Sequence, residues 1–206
     1  MKRLEEIIKY INEDDIVADI GCDHGYLLKL AIENKNIIKG YAVDNKIGPL
    51  NSAKENLDKF ENVIFKLSDG LIDVIESDIN CVVIAGMGGM LINKIFDDSI
   101  DKFKNINKVI VCPNRNIDKV RLNFINNGFS IKNESIVYED GKYYEIIVFE
   151  KGNQVLSELE LYFGPCLLKE KNVIFKNKWN EYYLKILNIE HKNDEIKLIE
   201  GVLNEG

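Results

Sequence analysis

A short apolar run, Ile16 to Ile20, stops at Gly21, and a helical pattern opens a few residues later at Tyr26. A strand, a glycine-bearing loop and a helix in that order form the opening unit of a parallel α/β sheet whose loops bind nucleotides. Gly21 has no Cβ, so a ligand can approach the backbone there. The spacing is Asp-x-Gly-x-x-x-Gly, from Asp19 through Gly21 to Gly25. It departs from the Gly-x-Gly-x-x-Gly of dinucleotide sites, because Asp23 stands where the second glycine would lie. A carboxylate there repels a pyrophosphate and suits a ligand with cationic groups.

The rest of the chain repeats the alternation. A helix is predicted over 2–12, from Leu4, Ile7, Ile8 and Ile11 at helical spacing. Strands are predicted over 16–21, 40–44, 63–67, 81–85 and 108–112. Helices are predicted between them over 26–33, 52–60 and 90–96, and after them over 117–126. Two consecutive strands follow, over 129–138 and 143–149, around Asp140-Gly141, a strong hairpin signal. Five strands alternating with helices predict a parallel sheet covered on both faces, and the hairpin brings one antiparallel strand into it. Near Gly152 the alternation stops. Residues 155–206 read as helix only, interrupted at Gly164-Pro165, and two antiparallel helices are expected there. The domain division expected is 1–153 and 154–206.

Composition removes several classes of function. The net charge is -7, and residues 151–206 account for only -1 of it, with eight lysines against nine acids. An acidic chain argues mildly against nucleic acid as a partner, although a local basic face remains open. No apolar run reaches the ~18 residues of a membrane span. The N-terminus carries Glu5 and Glu6 where a signal peptide has its apolar core, so a cytoplasmic protein is expected. Cys22, Cys81, Cys112 and Cys166 form no Cys-x-x-Cys pair, so no metal site or disulfide frame is expected.

In open α/β sheets ligands sit at the carboxyl ends of the strands. Those ends carry Asp19 and Gly21, Asp44, Asp69 and Gly70, Ala85 and Gly86, and Cys112 to Asn114. The carboxylate of Asp44 can accept two hydrogen bonds from a ribose diol, and Asp69 can accept from an adenine amine. Either alone reads as well as a solvated strand end; three such positions in order are harder to dismiss. The run Ala85-Gly86-Met87-Gly88-Gly89-Met90 suggests a loop that approaches a ligand, or simply a tight strand–helix turn. No Gly-Lys-Ser/Thr follows it, which excludes a Walker-type phosphate loop. The cofactor that suits this arrangement is S-adenosylmethionine, which carries an ammonium and a sulfonium. Asp23 and His24, in the first loop, are the natural catalytic candidates.

Several segments together resemble the bacterial tRNA (adenine-N1)-methyltransferases of the TrmK type, which act on adenine at tRNA position 22. They are the run Asp19 to Leu27, Gly48 to Ala53, Ser68-Asp69-Gly70-Leu71, Ile84 to Gly89, Pro113-Asn114, Tyr144-Glu145-Ile146, and Phe163-Gly164-Pro165 with Leu167-Leu168 and Lys178-Trp179. The Ala-Gly-Met-Gly-Gly and Phe-Gly-Pro-x-Leu-Leu pieces are specific to that family. Gly25 is a departure, standing where the family pattern has alanine. The resemblance implies a Rossmann-like class I S-adenosylmethionine-dependent methyltransferase with a C-terminal helical, coiled-coil-like domain. It implies tRNA as partner, with no membrane and no metal. A monomer is expected.

The expected cofactor contacts are Asp19, Gly21, Cys22, Gly25, Asp44, Asn45, Asp69, Gly70, Ala85, Gly86 and Met87. The expected catalytic residues are Asp23, Asn114 and His24, with Asp23 facing the methylated base and Asn114 reading its edge. Three other readings use the same fold: a methyltransferase with another nucleic-acid or small-molecule acceptor, a nicotinamide-dependent oxidoreductase, and an RNA-binding protein without catalysis. The absent Gly-x-Gly-x-x-Gly and the presence of Asp23 weigh against the oxidoreductase.

Overall fold

The computed structural model describes residues 1–204. The elements run α1 Lys2–Ile8, β1 Ile16–Ile20, α2 Tyr26–Lys35, β2 Lys39–Asp44, α3 Ile47–Asn56, β3 Val63–Leu67, β4 Cys81–Ala85, α4 Gly89–Asp98, α5 Ile100–Phe103, β5 Lys108–Cys112, α6 Ile117–Asn126, β6 Phe129–Glu139 and β7 Lys142–Lys151. The tail adds α7 Glu158–Phe163, α8 Pro165–Glu170, α9 Val173–Ile186 and α10 Asn193–Asn204.

The strands form one sheet in the order β3-β2-β1-β4-β5-β7-β6. β1 to β5 pair in parallel, and β7 runs antiparallel to both β5 and β6. Strands such as Cys81–Ala85 are apolar throughout because both faces are covered. On one face Val17, Ala42 and Val83 pack against α1, α2 and α3 through Ile7, Leu28 and Ala53. On the other, Ala18, Val43 and Val82 pack against α4, α5 and α6 through Phe96, Phe103 and Phe124. After β3 the chain crosses back to lay β4 beside β1, and a crevice opens over their carboxyl ends at that reversal.

Some boundaries differ from the sequence expectations. The first helix ends at Ile8, and residues 9–12 close in short turns. α3 begins at Ile47 rather than 52, because Pro49 lies in its first turn, where a missing N–H costs nothing. Among the described residues the tail holds four α-helices, not two. Pro165 starts α8 at its first position, Lys171 in the left-handed conformation ends it, and Asn172 caps α9 by accepting from Phe175 N at 3.0 Å. Only α9 and α10 pack as a long pair.

The tail helices gather Phe163, Leu167, Phe175, Trp179 and Ile199 into a third apolar cluster, which takes in Ile136 of β6. A buried ion network ties this cluster to the sheet. Arg121 of α6 donates through Nε to Glu134 of β6 at 2.8 Å and through Nη2 to Glu145 of β7 at 2.6 Å. Its Nη1 donates to the carbonyls of Leu161 and Tyr162 in α7 at 3.0 and 3.2 Å. Lys178 of α9 pairs with Glu145, and Cys166 N donates to Glu134 at 2.9 Å. Burial raises the Glu145 carboxyl, but Lys178 and Arg121 outweigh it and hold it below the usual range.

Candidate active site

The crevice over β1, β2 and β4 encloses about 590 Å³. Its floor is made where β1 turns into α2. Gly21 N and Cys22 N both donate to Val43 O, at 2.8 and 3.0 Å, so β2 continues to hold the chain after β1 has ended. Gly21 has φ +76, and a Cβ there would run into the Cε of Met87. Glycine is therefore favoured by the left-handed turn, while the end of the flexible Met87 side chain lies over it. Gly25 N closes the turn onto Cys22 O at 2.7 Å. Gly25 has φ +72, and a Cβ would lie 2.6 Å from Leu57 Cδ1. The alanine of the family pattern does not fit this backbone.

Acids ring the crevice. Asp19 is 5 % exposed, and burial pushes its carboxyl up to about 7, with Asp44 and Asp23 adding to the rise. Asp44 is buried too; its Oδ1 accepts from Lys46 N at 2.9 Å and its Oδ2 from Asp23 N at 3.4 Å. Those bonds fix the carboxylate and leave lone pairs free. Asp69 is half exposed, 3.9 Å from Lys94 Nζ. Asp23 is held at φ 49, and its side chain is 70 % exposed. His24 Nε2 lies 3.7 Å from Asp23 Oδ1, and its ring centroid is 5.6 Å from that of Tyr26. Burial, with Asp19 and Asp44 behind it, drives the Cys22 thiol far above its ordinary value, so it is a wall and not a nucleophile.

Of the residues singled out in the sequence, Asp19, Gly21, Cys22, Asp23, His24, Asp44, Asn45, Asp69, Gly70, Ala85, Gly86 and Met87 all line this crevice. Two stand apart. Gly25 shapes the turn beneath it. Asn114 lines a neighbouring cavity, and its Nδ2 donates to Gly86 O at 2.8 Å while its N donates to Met87 O at 2.8 Å. Asn114 thus holds the glycine loop in shape. Sequence reasoning missed Arg3 and Leu4, which α1 brings over the crevice. Their only sequence signal was helical spacing, which says nothing of where a helix docks.

The donor set fits S-adenosylmethionine. Two buried carboxylates on the floor offer negative charge to a ligand with an ammonium and a sulfonium, and the elevated Asp19 carboxyl marks a site that gains from a cation. Among the described residues no group of three His, Cys, Asp or Glu is placed to hold a metal, and no helix is long and apolar enough to cross a membrane.

A seven-stranded sheet with β7 reversed, and an acid-ringed crevice at its switch point, define a class I S-adenosylmethionine-dependent methyltransferase. The tail and the Ala85–Gly89 loop narrow this further. The chain belongs to the TrmK family, tRNA (adenine(22)-N(1))-methyltransferase, whose model matches residues 17–203. The tRNA (adenine(22)-N(1))-methyltransferase of Bacillus subtilis is 32% identical over 189 residues, covering 87% of this chain and 79% of that one. A Streptococcus pneumoniae structure in complex with S-adenosyl-L-methionine superposes with a TM-score of 0.93 at 35% identity, covering 98% of this chain and 99% of that chain. The structure of M. capricolum TrmK with S-adenosyl-homocysteine superposes with a TM-score of 0.82 at 30% identity, covering 99% of this chain and 94% of that chain.

Proposed function

We infer that this chain transfers the methyl group of S-adenosylmethionine to N1 of adenine 22 in tRNA. The observation that carries this is the family match across both sheet and tail, 17–203, with the acid-ringed crevice inside it. S-adenosylmethionine, when bound, supplies a methyl group on a cationic sulfur.

The chain's own residues bind, orient and compensate charge. Asp19 sets negative charge beneath the cationic end of the ligand. Asp44, its plane fixed by Asp23 N and Lys46 N, accepts from ribose hydroxyls, with Asn45 beside it. Asp69, next to Gly70, accepts from the adenine amine of the cofactor. Cys22, Ala85, Gly86 and Met87 form the walls, and Gly21 and Gly25 give the loop its shape.

Adenine N1 has an in-plane lone pair and needs no base to attack, so positioning supplies most of the rate, up to roughly 7–11 kcal/mol. N1 is also a pairing atom, so the target base must leave its stack to react. As the methyl arrives, the ring becomes cationic. Asp23, exposed at the mouth of the crevice, stabilises that charge. His24 acts as Asp23's neighbour rather than as a base. Asn114, with its Nδ2 given to Gly86, keeps its carbonyl oxygen for the exocyclic amine of the target adenine.

Residues 1–153 serve as the cofactor-binding unit and 154–206 as the helical unit that meets the RNA. The acting unit is taken as a monomer, working in the cytoplasm where tRNA is found. The experiment is direct. Labelled S-adenosylmethionine is incubated with an unmodified tRNA transcript carrying adenine at 22, and the digest is analysed. N1-methyladenosine at that position is expected. Methylation of another nucleoside, or none, refutes the assignment.

A further inference from the structure

A second cavity of about 710 Å³ lies between the β6–β7 hairpin and α9, next to the crevice. The two adjoin. Arg3 lines both, and Asn114 lines the second while holding Gly86 of the first. The cavity's charge is opposite to that of the chain. Arg3, Lys142, Lys178 and Lys185 line it beside Glu181, with Lys178 paired to the buried Glu145, in a protein of net charge -7. Glu181 is itself engaged, accepting from Tyr143 Oη at 2.5 Å.

Its walls are aromatic. Tyr143, Tyr144, Tyr162 and Tyr182 line it with Trp179. The Arg3 guanidinium stands 4.8 Å from the Tyr144 ring centroid, and Lys178 Nζ 4.3 Å from that of Trp179. Cations interleaved with aromatic faces are what a single-stranded nucleotide requires: stacking for the base and positive charge for the phosphate.

We propose that this cavity receives a single-stranded nucleotide of the RNA flanking the target adenine. Its base lies against Tyr143, Tyr144 and Tyr182, and its phosphate among Arg3, Lys142 and Lys185. The proposal rests on the tRNA-methylating reading above. It explains how an acidic protein binds RNA: the basic surface is concentrated beside the crevice and backed by aromatic rings. A strand whose adenine sits at the mouth of the crevice, beside Asp23, carries its neighbour past Arg3 into this cavity.

The test uses two exposed lysines and the chain's single tryptophan. Wild type and the double variant K142Q/K185Q are assayed on an unmodified tRNA transcript. The expected result is a KM for tRNA raised on the order of tenfold, with kcat at saturating tRNA and affinity for S-adenosylmethionine unchanged. The slope of log KM against log salt falls by about 0.7, as for one lost phosphate contact on a single strand. Trp179 emission shifts when tRNA saturates the protein and stays fixed when inorganic polyphosphate does. An unchanged KM in an active wild-type background overturns the proposal, and so does a Trp179 signal indifferent to tRNA. Equal shifts with polyphosphate also overturn it, because they show an anion site that reads no base. A wild type that fails to methylate tRNA at all overturns the reading beneath it instead.

Discussion

Replacing Asp19 with asparagine keeps the side chain's shape and removes its titration. The folded carboxyl titrates near 7, against 3.8 for an ordinary aspartate, because burial opposes its charge. The unfolded chain therefore ionises first, and folding stability is lost as pH rises from about 4 through 7. A shift of about three units corresponds to about 4 kcal/mol, nearly all of it lost by pH 8. The variant has no such loss. Urea unfolding from pH 4 to pH 8 should show wild type falling relative to D19N by about that amount. Cofactor binding should move the other way. A cationic ligand favours the ionised carboxyl, so wild-type affinity for S-adenosylmethionine should rise about fifteenfold from pH 5.5 to pH 7. D19N should bind weakly and with a flatter profile, read by isothermal titration. Parallel stability curves for the two proteins would refute the reasoning, as would equal affinity with equal pH dependence.

Three further outcomes are expected. Asp23→Ala should abolish turnover on tRNA while S-adenosylmethionine affinity, read by calorimetry, largely survives; near-normal methylation would remove Asp23 from the reaction. Gly25→Ala should cost roughly 1–3 kcal/mol from left-handed strain, plus the clash with Leu57, in a urea midpoint measurement. An unaltered midpoint would mean that the turn is not held as described. Arg121→Met should destabilise by about 3–5 kcal/mol, because Glu134 and Glu145 would then lie buried without their guanidinium. A thermal midpoint equal to wild type would contradict that burial.

Much of the sheet was legible because its signals are local. The strands 63–67, 81–85 and 108–112 and the helix 117–126 fall where predicted. Apolar runs there are bounded by Ser68-Asp69-Gly70, Gly86 and Pro113, which cannot continue a strand. The site was legible for the same reason: its acids and glycines sit on strand ends, and a parallel sheet brings all such ends to one rim. What failed was local ambiguity or long range. The helix expected from 52 opens at Ile47, with Gly48 and Pro49 in its first turn, and the one-turn α5 is too short to leave a period. Arg121, Glu134, Glu145 and Lys178 come from four separate elements, and no spacing announces that they meet. Arg3 reaches the crevice only because α1 packs on the α2 face of the sheet.

The buried joint around Arg121 has a mechanical consequence. Its groups are sealed from solvent, so water cannot step in to replace one of them. Such a joint does not yield by degrees; it is made or it is broken. The tail is therefore fastened to the sheet at α7 and α9, and any movement that parts either helix from the strands uncovers a charge before it finds a new partner.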